Sequence, residues 1–225
     1  MKKRLQRYRE LFLHNHGQLY AVQNEGGQGY TSAGSRELTD EVLKAHLEGR
    51  KTIAVRLSQP LTYLTKAGCV DIDGTREELR DNYDLAARIR DAAAEEGLRG
   101  YIEFSGNKGF HVWFFCDQPI PSNTMHSAIE AVCIKAGFTP KEIYPLPGEV
   151  ETDGKGRGSQ PVKLPGGTHK KSGKLCGFLG YEVEWDEEGY PIVPADQGSL
   201  MDEIEQNTAQ ELYRLVQEIQ PSEDS

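Results

Sequence analysis

Asp71 and Asp73, two carboxylates separated by one residue in Val70-Asp71-Ile72-Asp73-Gly74-Thr75, are well placed by type and spacing to do chemistry. On a helix, side chains two residues apart do not face each other. On a strand, residues i and i+2 share a face, with Cα atoms roughly 6.5–7 Å apart. The preceding Ala67-Gly68-Cys69-Val70 predicts a strand, so both carboxylates project side by side from its end. Held that close they repel, which raises at least one pKa unless a cation intervenes. A divalent metal supplies that cation, and two-metal sites hold their ions about 3.5–4 Å apart, a span that neighbouring carboxylates bridge. The plain alternative is a pair of solvated acids at a strand-to-turn junction.

A second group lies in Phe104-Ser105-Gly106-Asn107-Lys108-Gly109-Phe110-His111-Val112-Trp113. Two apolar strands flank a tight turn containing glycine. Ser105 and His111 fall at the strand ends beside the turn, and Lys108 adds positive charge. Gly106 and Gly109 leave backbone amides open to an anion. Such a turn can cradle a phosphate, or it can be an ordinary hairpin. It is not a Walker-type loop, because Gly-x-x-x-x-Gly-Lys-Ser/Thr is absent.

These residues need rigid elements around them. The spacing of Leu5, Tyr8, Leu11 and Phe12 predicts a helix over 2–15, and Gln18–Gln23 a short strand before a turn at Gly26–Gly29. Thr39 is a candidate N-cap, with Asp40 and Glu41 in the first turn of a helix that ends before Gly49. Strands are expected at 51–57, 67–73, 101–105 and 110–116, and helices at 76–96 and 122–135. A short strand at Glu142–Tyr144 leads into a glycine-rich loop, Leu146–Gln160, expected to be mobile. Val162–Leu164 and Leu175–Trp185 are expected to pair as antiparallel strands around the turn 165–173. A last amphipathic helix is expected over 200–220, with Leu200, Ile204, Leu212, Leu215 and Ile219 on one stripe. This order predicts an α+β fold with a substantially antiparallel sheet.

A chain of 225 residues can bury a core without disulfides. No apolar run approaches the ~18 residues of a membrane span, and no secretory leader is visible. A cytoplasmic protein without membrane contact is expected. Cys69, Cys116, Cys133 and Cys176 form no Cys-x-x-Cys pair, so reduced, mostly buried thiols are expected and no zinc. The net charge of −9 is uneven: residues 181–225 hold thirteen acids and one base, Arg214, which leaves the rest at +3. Lys155, Arg157, Lys163, Lys170, Lys171 and Lys174 form an acid-free basic stretch, a feature suited to phosphate attraction.

In combination the motifs resemble the archaeo-eukaryotic primase superfamily, which carries an acid-x-acid strand, a Ser-x-His-type hairpin and a third acid. Here these resemble Asp71 and Asp73, then Ser105 with His111, then Glu142 in Lys141-Glu142-Ile143-Tyr144-Pro145. The segment from Val162 to Lys174 resembles the Lys/Arg-Leu-Pro…His stretch of small primase-polymerases, and Leu38–Gly49 the lead-in of primases from mobile-element and CRISPR-associated systems. The likeness spans roughly residues 5–180, and the cysteine-rich zinc insertion of some relatives is absent. The third acid has neighbours of the same type in Glu149, Glu151 and Asp153, but Glu142 sits in a strand-like context, and rigid elements position ligands better than loops.

The resemblance implies an RRM-like catalytic core with a largely antiparallel sheet and flanking helices. It implies an N-terminal α/β module over 1–60, a catalytic core with metal and nucleotide site over 61–185, and an acidic tail with a C-terminal helix over 186–225. Asp71, Asp73 and Glu142 would hold two Mg²⁺ or Mn²⁺ ions. Ser105, Lys108 and His111 would contact a nucleoside triphosphate, with Lys163, His169 and Lys170 adding charge at its phosphates or at a single-stranded DNA template. The tail's apolar stripe is expected to dock on the core; the other use is as a partner-binding or self-inhibiting acidic element. Two further readings stay open. Asp-x-Asp-Gly-Thr also resembles the first motif of haloacid-dehalogenase-type phosphatases, with Asp71 as nucleophile, Asp73 as general acid and Lys163 as a nominal lysine. That reading needs a downstream acidic pair, for which Asp186-Glu187-Glu188 is a poor fit. The other is a nucleic-acid-binding module without catalysis.

Overall fold

The computed structural model describes residues 2–13, 19–59, 62–146 and 160–219. Most of the loop expected between Leu146 and Gln160, with Glu149, Glu151, Asp153, Lys155 and Arg157, lies outside them, as does the side chain of Ile219. The described elements, in chain order, are α1 (Lys2–Phe12), β1 (Leu19–Gln23), β2 (Tyr30–Glu37), α2 (Asp40–Leu47), β3 (Ile53–Val55), β4 (Leu64–Ile72), α3 (Leu79–Glu95) and β5 (Gly100–Phe104). They continue as β6 (Phe110–Pro121), α4 (Ser122–Lys135), β7 (Glu142–Tyr144), β8 (Val162–Lys163), β9 (Gly177–Phe178), α5 (Gln197–Asp202) and α6 (Ala209–Ile219). They form two sheets, β2-β1-β3-β8 and β7-β4-β6-β5-β9, in which every paired strand is antiparallel. The fold is α+β.

The five-stranded sheet is buried on both faces, and strand alternation decides which residue goes where. Val70 and Ile72 of β4, with Phe110, Val112 and Phe114 of β6, join a core built with α3, α4 and α6. Ala67 and Cys69, with Trp113 and Phe115, face the opposite way into a core shared with α1 and the four-stranded sheet. Local chemistry fixes the ends. Thr39 Oγ1 accepts the Val42 amide, and Asp40 and Glu41 sit in the first turn of α2.

Three expectations are corrected. Val162–Leu164 does not pair with Leu175–Trp185: β8 adds to β3, while β9 adds to β5, and the antiparallel contact lies within the turn, at the bridge Thr168–Leu175 and in the backbone bonds of Gly166 and Gly167 with Cys176. The last helix is two helices, because Asn207 leaves helical geometry to bridge Cys116, exchanging backbone bonds with Phe115 and Asp117 while its side chain bonds Arg99. Its apolar stripe is divided accordingly, with Ile204 in one core and Leu200 packed against it, and Leu212 and Leu215 in the other. β2 was not foreseen; it is a polar, largely exposed edge strand with no apolar alternation to reveal it.

All four cysteines are free and buried. Among the described residues no helix is long and apolar enough to cross a membrane.

Candidate active site

The five-stranded sheet carries two adjacent rows of side chains on the face turned to the four-stranded sheet. The first is apolar and aromatic: Tyr144, Cys69, Trp113 and Tyr101 stand opposite one another across β7, β4, β6 and β5. One pleat further along, the same strands present Glu142, Asp71, His111 and Glu103. Four ionisable side chains from four strands are thus aligned by the backbone ladder. Asp73 follows just past the end of β4.

Hydrogen bonds order this second row. His111 Nδ1 meets Glu103 Oε2 at 2.7 Å, and its Nε2 lies 3.6 Å from Asp71 Oδ1. Trp113 Nε1 donates to the same Glu103 oxygen at 2.7 Å. Tyr144 donates its hydroxyl to Glu142 Oε2 at 2.8 Å, and Lys108 pairs with Asp73 at 2.9 Å. Burial raises the pKa of Asp71, and the charges of Asp73 and Glu142 raise it further against the opposing pull of His111. His111 is also buried, which disfavours its cation, yet Glu103 and Asp71 together hold its pKa above the ordinary value.

The hairpin from Ser105 to Gly109 closes over the end of β4 because two positions lack a side chain. A Cβ on Gly109 would stand 2.5 Å from the Ile72 carbonyl oxygen. Gly106 has φ +93°, and a Cβ there would meet His169 Cβ at 2.6 Å and Cys176 Sγ at 2.7 Å. The other side of the site comes from β8 and the turn after it. Lys163, 7% exposed, donates to the Ser105 carbonyl and lies 3.7 Å from Glu103 Oε1. Buried His46 supports this segment. Its Nδ1 accepts the Ile53 amide at 3.1 Å, so Nε2 carries the proton and donates to the Pro165 carbonyl at 3.0 Å. Burial depresses its pKa to about 4, which keeps the ring neutral. His169 is likewise lowered to about 4 by burial and by Lys163 and Lys171, and its Nδ1 accepts the Ser172 amide.

These groups surround a cleft of about 240 Å³ lined by Asp71, Asp73, Ser105, Asn107, Lys108, His111, Lys163 and His169, with Tyr30 and Tyr144. A neighbouring hollow of about 370 Å³ shares Asp71, Asp73 and Lys108 and adds Glu142, Asn82 and Lys141. The expected site residues therefore gather in one place, with one exception: Lys170 lines neither space, and its amine bonds the Arg50 carbonyl at 3.3 Å. Asp186, Glu187 and Glu188 line neither space as well; Asp186 accepts the Tyr190 amide and, with Glu188, pairs with Lys174. They are not the acidic pair that a phosphatase site requires.

The acids suit a hard divalent cation in donor type and in crowding. Their side chains are nonetheless occupied elsewhere, Asp73 by Lys108 and Glu142 by Tyr144. Among the described residues no three ligating side chains converge into a ready cage. A cation bound here would replace the Lys108 ammonium as the neutralising charge at Asp73.

Sequence reasoning missed Glu103, Tyr30, Asn107 and Tyr144 as parts of the site. Glu103 was legible in principle. A hairpin closed between Ser105 and Gly109 pairs 104 with 110 and therefore 103 with 111, which sets a carboxylate beside the histidine. Tyr30 arrives from the unforeseen β2.

The polymerase domain from Mycobacterium tuberculosis Ligase D in complex with DNA is similar in structure at TM-score 0.39 and 14% identity, covering 97% of this chain and 86% of that one. The AEP domain of the cyanophage S-2L primase-polymerase is similar at TM-score 0.46 and 15% identity, over 80% of this chain and 90% of that one. No curated protein matches. Residues 4–214 match the family described as the TOTE conflict system, Archaeo-Eukaryotic Primase domain, and the chain belongs to that family.

Proposed function

We propose that this domain is a primase-polymerase that joins nucleotides into DNA or RNA primers on a single-stranded template. The observation that carries the reading is the row Glu142, Asp71, His111 and Glu103, which puts acids and an imidazole on one ladder, with Asp71 and His111 lining one cleft together with Lys163. Asp71, Asp73 and Glu142 would hold Mg²⁺ or Mn²⁺. When bound, such ions lower the pKa of a 3′-hydroxyl and neutralise charge on a triphosphate and its leaving pyrophosphate. Lys108 and Lys163 supply positive charge where phosphate oxygens would lie, and His111 presents its Nε2 beside them; groups held in place before the reaction cost no reorganisation in the transition state. Ser105 and Asn107 offer neutral hydrogen-bond partners on the hairpin. His169, neutral near pH 7, offers a hydrogen bond rather than a charge.

The test is direct. The protein is given single-stranded DNA, labelled deoxynucleotides or ribonucleotides, and Mn²⁺ or Mg²⁺, with and without a primer. Extension products are expected, and their absence under every combination overturns the proposal. Hydrolysis of an aryl phosphate without any extension would replace it with phosphatase chemistry.

A further inference from the structure

We propose that Glu103 is a positioning residue for the nucleotide site, a buried carboxylate that aims both His111 and Lys163 at the phosphates. The inference rests on the reading that a nucleoside triphosphate occupies the cleft. Glu103 itself lines no part of that cleft and would act through its two neighbours.

The carboxylate is fully buried in β5, between Ile102 and Phe104, which are buried themselves. An ion taken out of water costs several kcal/mol, and apolar residues of similar volume often replace buried ion pairs without loss. Packing therefore gives no reason for a charge here; its contacts do. Oε2 receives His111 Nδ1 and Trp113 Nε1, both at 2.7 Å. Trp113 is held rigidly in its turn, edge-on to Phe12 at 5.0 Å and stacked with Phe115 at 6.1 Å. A core residue thus fixes the carboxylate, and the carboxylate fixes the imidazole with Nε2 turned toward Asp71 and the cleft. Oε1 is buried with no hydrogen-bond partner and faces the Lys163 ammonium at 3.7 Å. His111 belongs to one sheet and Lys163 to the other, so one side chain sets the relative placement of two phosphate-facing groups from different sheets.

Glu103→Gln keeps the shape and removes the charge. The parent and E103Q are titrated calorimetrically, in Mg²⁺, with the α,β-methylene analogues of ATP and dATP, and separately with a single-stranded oligonucleotide. Urea unfolding is followed in parallel. Loss of a partner that orients a binding group typically weakens affinity about 10–100-fold, and that loss is expected for the nucleotide analogues with little change for the oligonucleotide. An unchanged nucleotide affinity in folded E103Q overturns the proposal, as does equal weakening for both ligands, which marks general damage. If E103Q does not fold, the double variant E103Q/K163M, which removes both buried charges, is compared with K163M alone. A further loss of nucleotide affinity, acting through His111, is then expected, and equal affinities overturn the proposal. A parent that binds the analogues but extends no primer overturns the polymerase reading and leaves this test standing. A parent that binds neither analogue overturns both.

Discussion

The acidic and basic sides of the cleft come from different sheets and are secured in different ways. Asp71, Glu142, His111 and Glu103 stand on neighbouring strands, each one pleat from an aromatic or thiol in the row below, where Cys69, Tyr144 and Trp113 are buried and Tyr101 is half-buried. Their positions follow from main-chain pairing, which single side-chain changes disturb little. Lys163 sits on the two-residue strand β8 and is placed by its hydrogen bond to the Ser105 carbonyl and its ion pair with Glu103, with His46 bracing the Pro165 carbonyl. The contrast implies that the acidic side tolerates substitution structurally but not chemically. The basic side should respond to changes that leave the chemistry untouched.

The largest effect expected is on the acidic side. Asp71→Ala combined with Asp73→Ala should reduce nucleotide incorporation on the order of 10³-fold or more, since charge stabilisation in the transition state is lost. The urea midpoint should stay close to the parent's. Parental activity in the double variant rules out the acidic assignment.

On the basic side, acid should loosen the structure through His46. Its pKa falls from the ordinary 6.5 to about 4 on folding, so the unfolded chain binds the proton more tightly. Its stabilisation is complete above 6.5 and is lost as pH falls toward 4; about 2 kcal/mol should already be gone at pH 5. Urea midpoints at pH 7.5 and 5 test this against His46→Gln, in which that part of the slope should vanish. An identical slope in both proteins contradicts the bracing role.

A smaller effect is expected where the sides meet. Gly109→Ala puts a methyl group against the Ile72 carbonyl, and overpacking of this kind costs about 1–3 kcal/mol. Nucleotide affinity should fall with stability, because the hairpin must lift from β4. The smallest is Tyr144→Phe, which removes one hydrogen bond to Glu142 and should lower stability by about 1 kcal/mol. Activity within a few-fold of the parent is expected. A much larger loss would show that Tyr144, rather than the ladder, places Glu142.

The same contrast explains what could be read from the sequence. β4, β6 and α4 are continuous apolar elements with clear periods, and the acid pair, the hairpin and Glu142 lie on or beside elements of this kind. Their lateral register follows from short hairpin logic. The pairing of β8 with β3 joins residues more than a hundred positions apart, and no local pattern encodes it. The polar β2 carries no alternation, so Tyr30 could not be placed. The break at Asn207 was hidden because the apolar spacing continues across it, while the reason for the break is a bridge to a strand far upstream.

The tightness of the hairpin tip bears on any effort to re-engineer the pocket. Positions 106 and 109 admit nothing larger than hydrogen without moving backbone or packed neighbours, so a library randomised across the whole turn would consist mostly of damaged proteins. Asn107 and Lys108 line the cleft between those two fixed points. Diversity aimed at altered substrate choice belongs at those two codons.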